Sequence, residues 1–190
     1  MGLAQTQQVL AQLYTNSELR QRFFANPQIV GAEMGLSDEE TQQLSQISTQ
    51  QVNIFANSLK WKRLGEVREL LPRTARVLGK NFNDLFWRYA ETHLPQGIKK
   101  HREDAIAFAN FIQQQEIYPV WVRDLVRYEQ TWLLAYESHR CLQVCWFGYP
   151  IDKLGSNQEI HRQLTLAIWW RVTKRSQLHH IVRSTTTLVE

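Results

Sequence analysis

Large apolar residues recur at helical spacing through the first two thirds of the chain. Phe82, Leu85, Phe86 and Tyr89 stand at i, i+3, i+4 and i+7, which places four large side chains on one face of a helix. Similar runs, separated by cap and proline signals, continue from residue 3 to residue 137. The pattern therefore predicts a mainly helical region over these residues.

Local signals set the ends of several of these helices. Ser37 and Glu40 have the spacing of a capping box, in which each residue satisfies a free backbone N–H of the other. A long helix is expected to begin after residue 48 and to break at Pro72, because proline lacks an N–H and clashes with the preceding turn. A short helix over residues 73–78 should follow the break.

The period changes to two after Ser138, which is typical of strands. Apolar residues alternate over residues 141–147 and 164–173, and a turn can lead into a third strand over residues 177–183. The expected fold class is α+β: a mainly helical N-terminal region with a small C-terminal antiparallel β-sheet. We place the helical domain at residues 1–138 and the strand-rich part at 139–190, packed on the helices.

Composition narrows the class of protein. The chain has 190 residues, 43% of them hydrophobic, which is ordinary for a globular protein. No stretch approaches the length of a membrane span, and the first residues lack the features of a signal peptide. Only Cys141 and Cys145 occur, which suits a reducing compartment. We expect a cytoplasmic protein with no membrane partner.

Positive charge is concentrated in two stretches. The net charge is +4, with seven Lys or Arg and two Glu over residues 60–80, and seven basic and three acidic residues over 139–190. Arg73, Arg76 and Lys80 would share one helical face after Pro72, and could meet phosphates or an acidic partner together. A solvated amphipathic face explains the same run without a ligand. The candidate binding residues are Trp61, Lys62, Arg63, Arg73 and Arg76.

Motifs for catalysis or metal binding are missing from the sequence. It has no G-x-S-x-G turn and no glycine-rich phosphate loop. A metal site combining His139, His161 and either His179 or His180 is an alternative to surface or core histidines. The adjacent pair weakens it, because neighbouring residues of a strand point to opposite faces. We expect no catalytic residue, no metal and no cofactor.

Glu129 stands within the apolar stripe of a predicted helix. An ionised carboxylate there must be paired, protonated or functional. The alternatives are pairing with an arginine such as Arg88 or Arg123, a hydrogen bond to a helix terminus, or a role as a general acid.

Several stretches together resemble a known bacterial family. They are residues 70–79 (LLPRTARVLG), Phe82, Tyr89, residues 108–111 (FANF) and residues 122–129 (VRDLVRYE). Over about residues 65–140 the chain looks like a family described by a DNA-binding domain, which includes partner subunits of iron-dependent oxidases that modify copper-chelating peptides. The resemblance implies a fold that is helical in front and strand-rich behind.

A second resemblance covers the N-terminal helices. Residues 13–20 (LYTNSELR), with Phe23, Pro27, residues 35–37 and Glu40, are similar to the small helical subunit of extradiol ring-opening dioxygenases and to some leader peptides of modified peptides.

The expected function is that of an adaptor, a non-catalytic partner subunit that engages another protein or peptide between Trp61 and Tyr136. Exposed tryptophans among Trp61, Trp87, Trp121 and Trp132 would be its contact residues. The alternative is a nucleic-acid-binding transcriptional regulator that uses the basic helix over residues 60–80.

Overall fold

The computed structural model describes residues 3–93, 100–137, 141–155, 159–173 and 176–185. Its helices are α1 (Leu3–Thr15), α2 (Ser17–Ala25), α3 (Pro27–Glu33), α4 (Asp38–Ser45), α5 (Thr49–Leu70), α6 (Pro72–Leu78), α7 (Lys80–Thr92), α8 (Lys100–Gln113) and α9 (Val122–Glu137). No helix in these ranges is long and apolar enough to cross a membrane.

Three strands follow the helices and form one antiparallel sheet. They are β1 (Leu142–Phe147), β2 (Thr165–Trp170) and β3 (His179–Ser184), in the spatial order β1-β2-β3. Val144 pairs with Ile168, which pairs with Ile181 across the central strand. The predicted α+β class, with helices in front and a small antiparallel sheet behind, is confirmed.

The chain divides into two compact units: residues 1–65 with 90–94, and residues 66–89 with 95–190. The predicted switch from helices to strands near residue 138 falls inside the second unit. That the two sides of residue 138 are separate domains stays a prediction.

The short helices at the start of the first unit pack around an apolar cluster. Its buried members are Val9, Leu13, Phe23, Val30, Leu36 and Leu44. The Arg20 guanidinium ties three helices together, because it donates to the Leu13 carbonyl and to Asn53 Oδ1, both at 2.8 Å. Burial lowers the pKa of Arg20.

The predicted capping box at the start of α4 is confirmed. Ser37 Oγ accepts from the Glu40 N–H at 3.2 Å, and Glu40 accepts from the Ser37 N–H at 2.8 Å. The same backbone hydrogen bond lowers the pKa of Glu40. A helix start coded by two residues in sequence thus forms as expected.

An aromatic cluster joins α7 and α8 within the second unit. The Phe108 ring lies 5.2 Å from Phe82 and 5.3 Å from both Phe86 and Tyr89, measured between centroids. Tyr89 donates to the buried Asp104 carboxylate at 2.8 Å. The predicted single face of α7 is therefore a packed core.

Glu129 of α9 caps the N-terminus of α6. Its two carboxylate oxygens accept from the backbone N–H groups of Arg73 and Thr74, each at 2.8 Å. Pro72 at the first turn has no N–H, so these donors are the first two the helix offers. Of the alternatives for Glu129, the hydrogen bond to a helix terminus is the one found, and the side chain is buried.

The inner face of the sheet packs on α9. Tyr128 contacts Phe147 and Trp169, with ring centroids 6.0 and 5.6 Å apart. Asp124 Oδ2 accepts from the Gly148 N–H at 2.7 Å and so fixes the turn after β1 to the same helix. Burial raises the pKa of the Asp124 carboxyl, against the lowering effect of that hydrogen bond.

Removing the Glu129 carboxylate is expected to destabilise the fold. Glu129→Ala leaves two buried N–H groups without an acceptor and should lower the free energy of unfolding by about 2–4 kcal/mol. Glu129→Gln keeps one acceptor and should cost about 1–3 kcal/mol. The measurement is urea unfolding followed by circular dichroism. Glu69→Gln, on the exposed surface of α5, is the control and should stay within about 0.5 kcal/mol; equal midpoints for all variants would contradict the assignment.

Two glycines give a second, matched prediction within the first unit. A Cβ at Gly31 would lie 2.8 Å from Thr41 Cγ2 and closer still to Thr41 Oγ1, whereas a Cβ at Gly65 meets nothing within 4 Å. Gly31→Ala should therefore lower the free energy of unfolding by about 1–3 kcal/mol through overpacking. Gly65→Ala, inside α5, should raise it by about 0.5–1 kcal/mol. Thermal unfolding of both variants checks the opposite signs, and a shared sign would refute the packing of α3 on α4.

Candidate functional site

Three of the five predicted binding residues lie on α5 in the first unit. Trp61 is 57% exposed, and Lys62 is exposed beside it. Arg63 is half-buried, and its guanidinium donates to the His93 carbonyl at 3.1 Å. Trp61 and Lys62 thus keep surface for a partner, while Arg63 serves the packing of its own unit.

The other two residues, Arg73 and Arg76, lie on α6 in the second unit. The Arg73 guanidinium donates to the carbonyls of Ile151 and Leu154 at 2.6 and 3.1 Å and lies 5.6 Å from the Tyr128 ring centroid. Arg76 is exposed. The prediction that Lys80 shares their helical face is wrong, because α6 ends at Leu78 and Lys80 begins α7 after Gly79, whose φ is +55°.

The tryptophans expected as contact residues divide into one exposed side chain and three partly buried ones. Trp121 and Trp132 pack against the apolar cluster under the sheet, and Trp87 contacts the Phe86 ring at 6.0 Å. Only Trp61 of these four is mainly exposed.

His179 and His180 point to opposite faces of the sheet, as predicted. The His179 ring stacks on Trp170 at 5.5 Å on the outer face. The His180 ring lies 4.8 Å from both Trp132 and Trp169 on the inner face, and its Nε2 is 3.5 Å from the Tyr128 hydroxyl. His180 is thus a half-buried histidine in contact with an aromatic cluster.

Other candidate metal ligands are spread out. His161 is exposed and lies 3.9 Å from the Glu159 carboxylate, whereas His139 lies outside the described residues. Cys141 and Cys145 are free thiols. Where side chains are described, no three His, Cys, Asp or Glu residues are grouped so that they could hold a metal ion.

The outer face of the sheet is the largest exposed apolar feature of the strands. Leu142, Val144 and Trp146 of β1 are 58%, 47% and 52% exposed. Cross-strand pairing aligns all three with apolar residues of β2, and aligns Val144 with Ile181 of β3 as well. We define the outer sheet face by its apolar members: Leu142, Val144, Trp146, Leu166, Ile168, Trp170 and Ile181.

Two polar groups complete this face along the β3 edge. His179 stands in the row of Leu142 and Trp170, and Arg183 stands in the row of Trp146 and Leu166. The Arg183 guanidinium donates only to the adjacent Val182 carbonyl, as far as the described residues go. None of the nine outward positions carries a carboxylate.

A pattern in the sequence indicates this surface, although the five predicted binding residues all lie on helices. Strand β2 reads TLAIWW, apolar on both faces, whereas a sheet with one solvated face alternates apolar and polar residues. A continuous apolar strand indicates that both faces are to be covered. Among the described elements, the helices cover only one of them.

Comparison with protein families gives one partial match. Residues 46–114 match the family model described as SCO6045-like, C-terminal domain. That stretch covers about a third of the chain, contains Trp61, Lys62, Arg63, Arg73 and Arg76, and ends before the sheet begins. No curated protein sequence matches the chain.

The half-buried position of His180 predicts a pH effect on stability. Burial lowers the pKa of His180, so the unfolded chain binds a proton more readily than the folded protein. The free energy of unfolding should therefore fall as the pH drops below about 6.5 and on through the lowered folded-state pKa. His180→Phe keeps a packed ring without a titrating group and should remove this part of the slope. Urea unfolding of both proteins across that pH range measures it, and identical slopes would refute the linkage.

Proposed function

We propose that this chain is a partner-binding protein, an adaptor that engages another protein through the outer sheet face. The observation that carries the proposal is an apolar surface on three aligned strands, with the half-exposed Trp146 at one corner. Aromatic side chains in such a setting are common energetic anchors of interfaces.

The size of this surface suits a binding site. Two partly exposed tryptophans and the exposed aliphatic side chains around them present on the order of 500 Å² of apolar surface. The largest apolar patch on a typical monomer is about 300–600 Å² and is often functional. A standard interface buries about 800 Å² on each partner, so the face can supply the centre of one.

Apolar burial alone would give a weak complex. Covering on the order of 500 Å² contributes about 12 kcal/mol at 25 cal/mol per Å². Loss of translational and rotational freedom opposes association by an estimated 4–15 kcal/mol. The polar groups at the edge of the face therefore decide much of the affinity and of the choice of partner.

The helical surface around Trp61 is the competing location for partner binding. Trp61 and Lys62 are exposed on α5, within the stretch that matches the family model. A single exposed tryptophan offers less area than three aligned strands, so the outer sheet face is the better-supported choice. The nucleic-acid alternative stays a prediction.

Crosslinking inside cells tests the proposed function. A photoreactive amino acid at position 144 should give one reproducible adduct, whose partner mass spectrometry identifies. The double substitution Val144→Thr with Trp146→Thr should weaken binding of that partner by about 2 kcal/mol or more, because both changes remove apolar contact but keep residues that suit strands.

Position 120 supplies the matched control, since Val120 is 52% exposed and lies outside the sheet. The same photoreactive residue there, and Val120→Thr, should give no adduct and no loss of binding. Equal crosslinking from both positions would contradict the proposal. Loss of binding in Trp61→Gln, with the double variant unaffected, would place the partner on the helices instead.

A further inference from the structure

The nine outward strand positions of the sheet hold one arginine and no carboxylate. Over residues 141–185 the sequence has six Lys or Arg residues and only two acidic ones, Asp152 and Glu159. Neither carboxylate lies on an outward strand position, whereas Arg183 does. At these outward strand positions, a partner that covers the face therefore meets a cation and no anion.

The two polar corners lie on one edge of the face. His179 and Arg183 are four residues apart on β3, so about 13 Å of strand separates them. Arg183 has no carboxylate partner of its own among the residues described. Covering it without an anion would leave a desolvated charge, and the loss would weaken the complex.

We propose that the occupant of the outer sheet face is an acidic, apolar segment of a partner protein, with carboxylates on the side that meets β3. This inference rests on the proposed function and names the partner's chemistry. Large apolar side chains of the segment cover Val144 and Trp146, and a carboxylate pairs with the Arg183 guanidinium.

Other occupants fit the face less well. A second copy of the chain supplies no carboxylate from the same face, and the exposed area falls below what obligate dimers bury. Single-stranded nucleic acid binds by base stacking on aromatic rings. The two tryptophans could serve that purpose, but most of the remaining outward side chains are aliphatic: Leu142, Val144, Leu166, Ile168 and Ile181.

A display library of short random peptides tests the charge preference directly. Peptides selected on the purified full chain should be rich in Asp, Glu and large apolar residues. Selected sequences are then synthesised with their acidic residues intact or replaced by lysine, and binding is measured by fluorescence anisotropy. The acidic form should bind at least about tenfold more tightly than the lysine form, and the difference should shrink with added salt.

Charge reversal on the protein completes the test. Arg183→Glu should remove or invert the preference, and Arg123→Glu, at an exposed arginine of α9, should leave it unchanged. If neutral peptides are selected and the Val144→Thr with Trp146→Thr variant loses them, the proposed function stands and the acidic partner is refuted. If the double variant binds every selected peptide as well as the parent does, the proposed function itself fails.

Two further measurements address the other occupants. Binding of a labelled oligothymidine that Trp146→Thr abolishes would overturn the inference in favour of a nucleic acid. Dimerisation in sedimentation velocity that the double variant abolishes would overturn it in favour of a second copy. Monomeric protein with no oligothymidine binding, together with the acidic preference, is the expected result.

Discussion

The second compact unit depends on one buried carboxylate. A helix that follows a proline break has free N–H groups and no residue of its own to satisfy them. Here Glu129, more than fifty residues away in sequence, accepts from both Arg73 and Thr74. The Arg73 side chain then reaches the carbonyls of Ile151 and Leu154 in the connection between β1 and β2. Through its backbone N–H and its side chain, Arg73 therefore connects three parts of the chain: α6, α9 and the segment between β1 and β2. Because the negative charge lies at the positive end of a helix, its burial is compensated by two hydrogen bonds and by the helix dipole.

This arrangement explains why the sheet has one covered face and one open face. Helix α9 presents Glu129 to α6 and, from the adjacent position, Tyr128 to Trp169 and Phe147 of the sheet. A single layer of helix under a three-stranded sheet covers one side only. On the inner side His180 is half-buried among aromatic neighbours, and this burial lowers its pKa. The apolar residues on the outer side have no such layer among the described elements, so the same packing that stabilises the unit leaves a surface suited to a partner.

Local rules predicted the features that local sequence controls, such as the capping box at Ser37 and the break at Pro72. They also predicted that His179 and His180 would lie on opposite faces, because alternation follows from strand geometry alone. Features that depend on packing between distant parts of the chain were harder to predict from the sequence. The terminus that Glu129 caps depends on how α9 crosses α6, and the loss of Lys80 from the basic face depends on a new helix starting after Gly79. Counting tryptophans favoured the helices as a binding surface, yet Trp121 and Trp132 pack under the sheet. The apolar pattern of β2 on both faces instead indicates the exposed apolar surface that the strands form.

The position of the outer sheet face also limits which features of this chain can be inferred from the matched family model. The stretch that matches the family model ends at residue 114, and β1 begins at Leu142. The matched stretch therefore contains the aromatic core of α7 and α8. It also contains the start of α6, with the two backbone N–H groups that Glu129 caps. Glu129 itself and every residue of the outer sheet face lie beyond the match. A core can be kept while an exposed face changes, because exposed substitutions alter the free energy of unfolding little and partner affinity strongly. Under the proposed function, the partner therefore has to be identified with this chain itself, and we propose that the charge of the β3 edge, carried by Arg183, guides its choice.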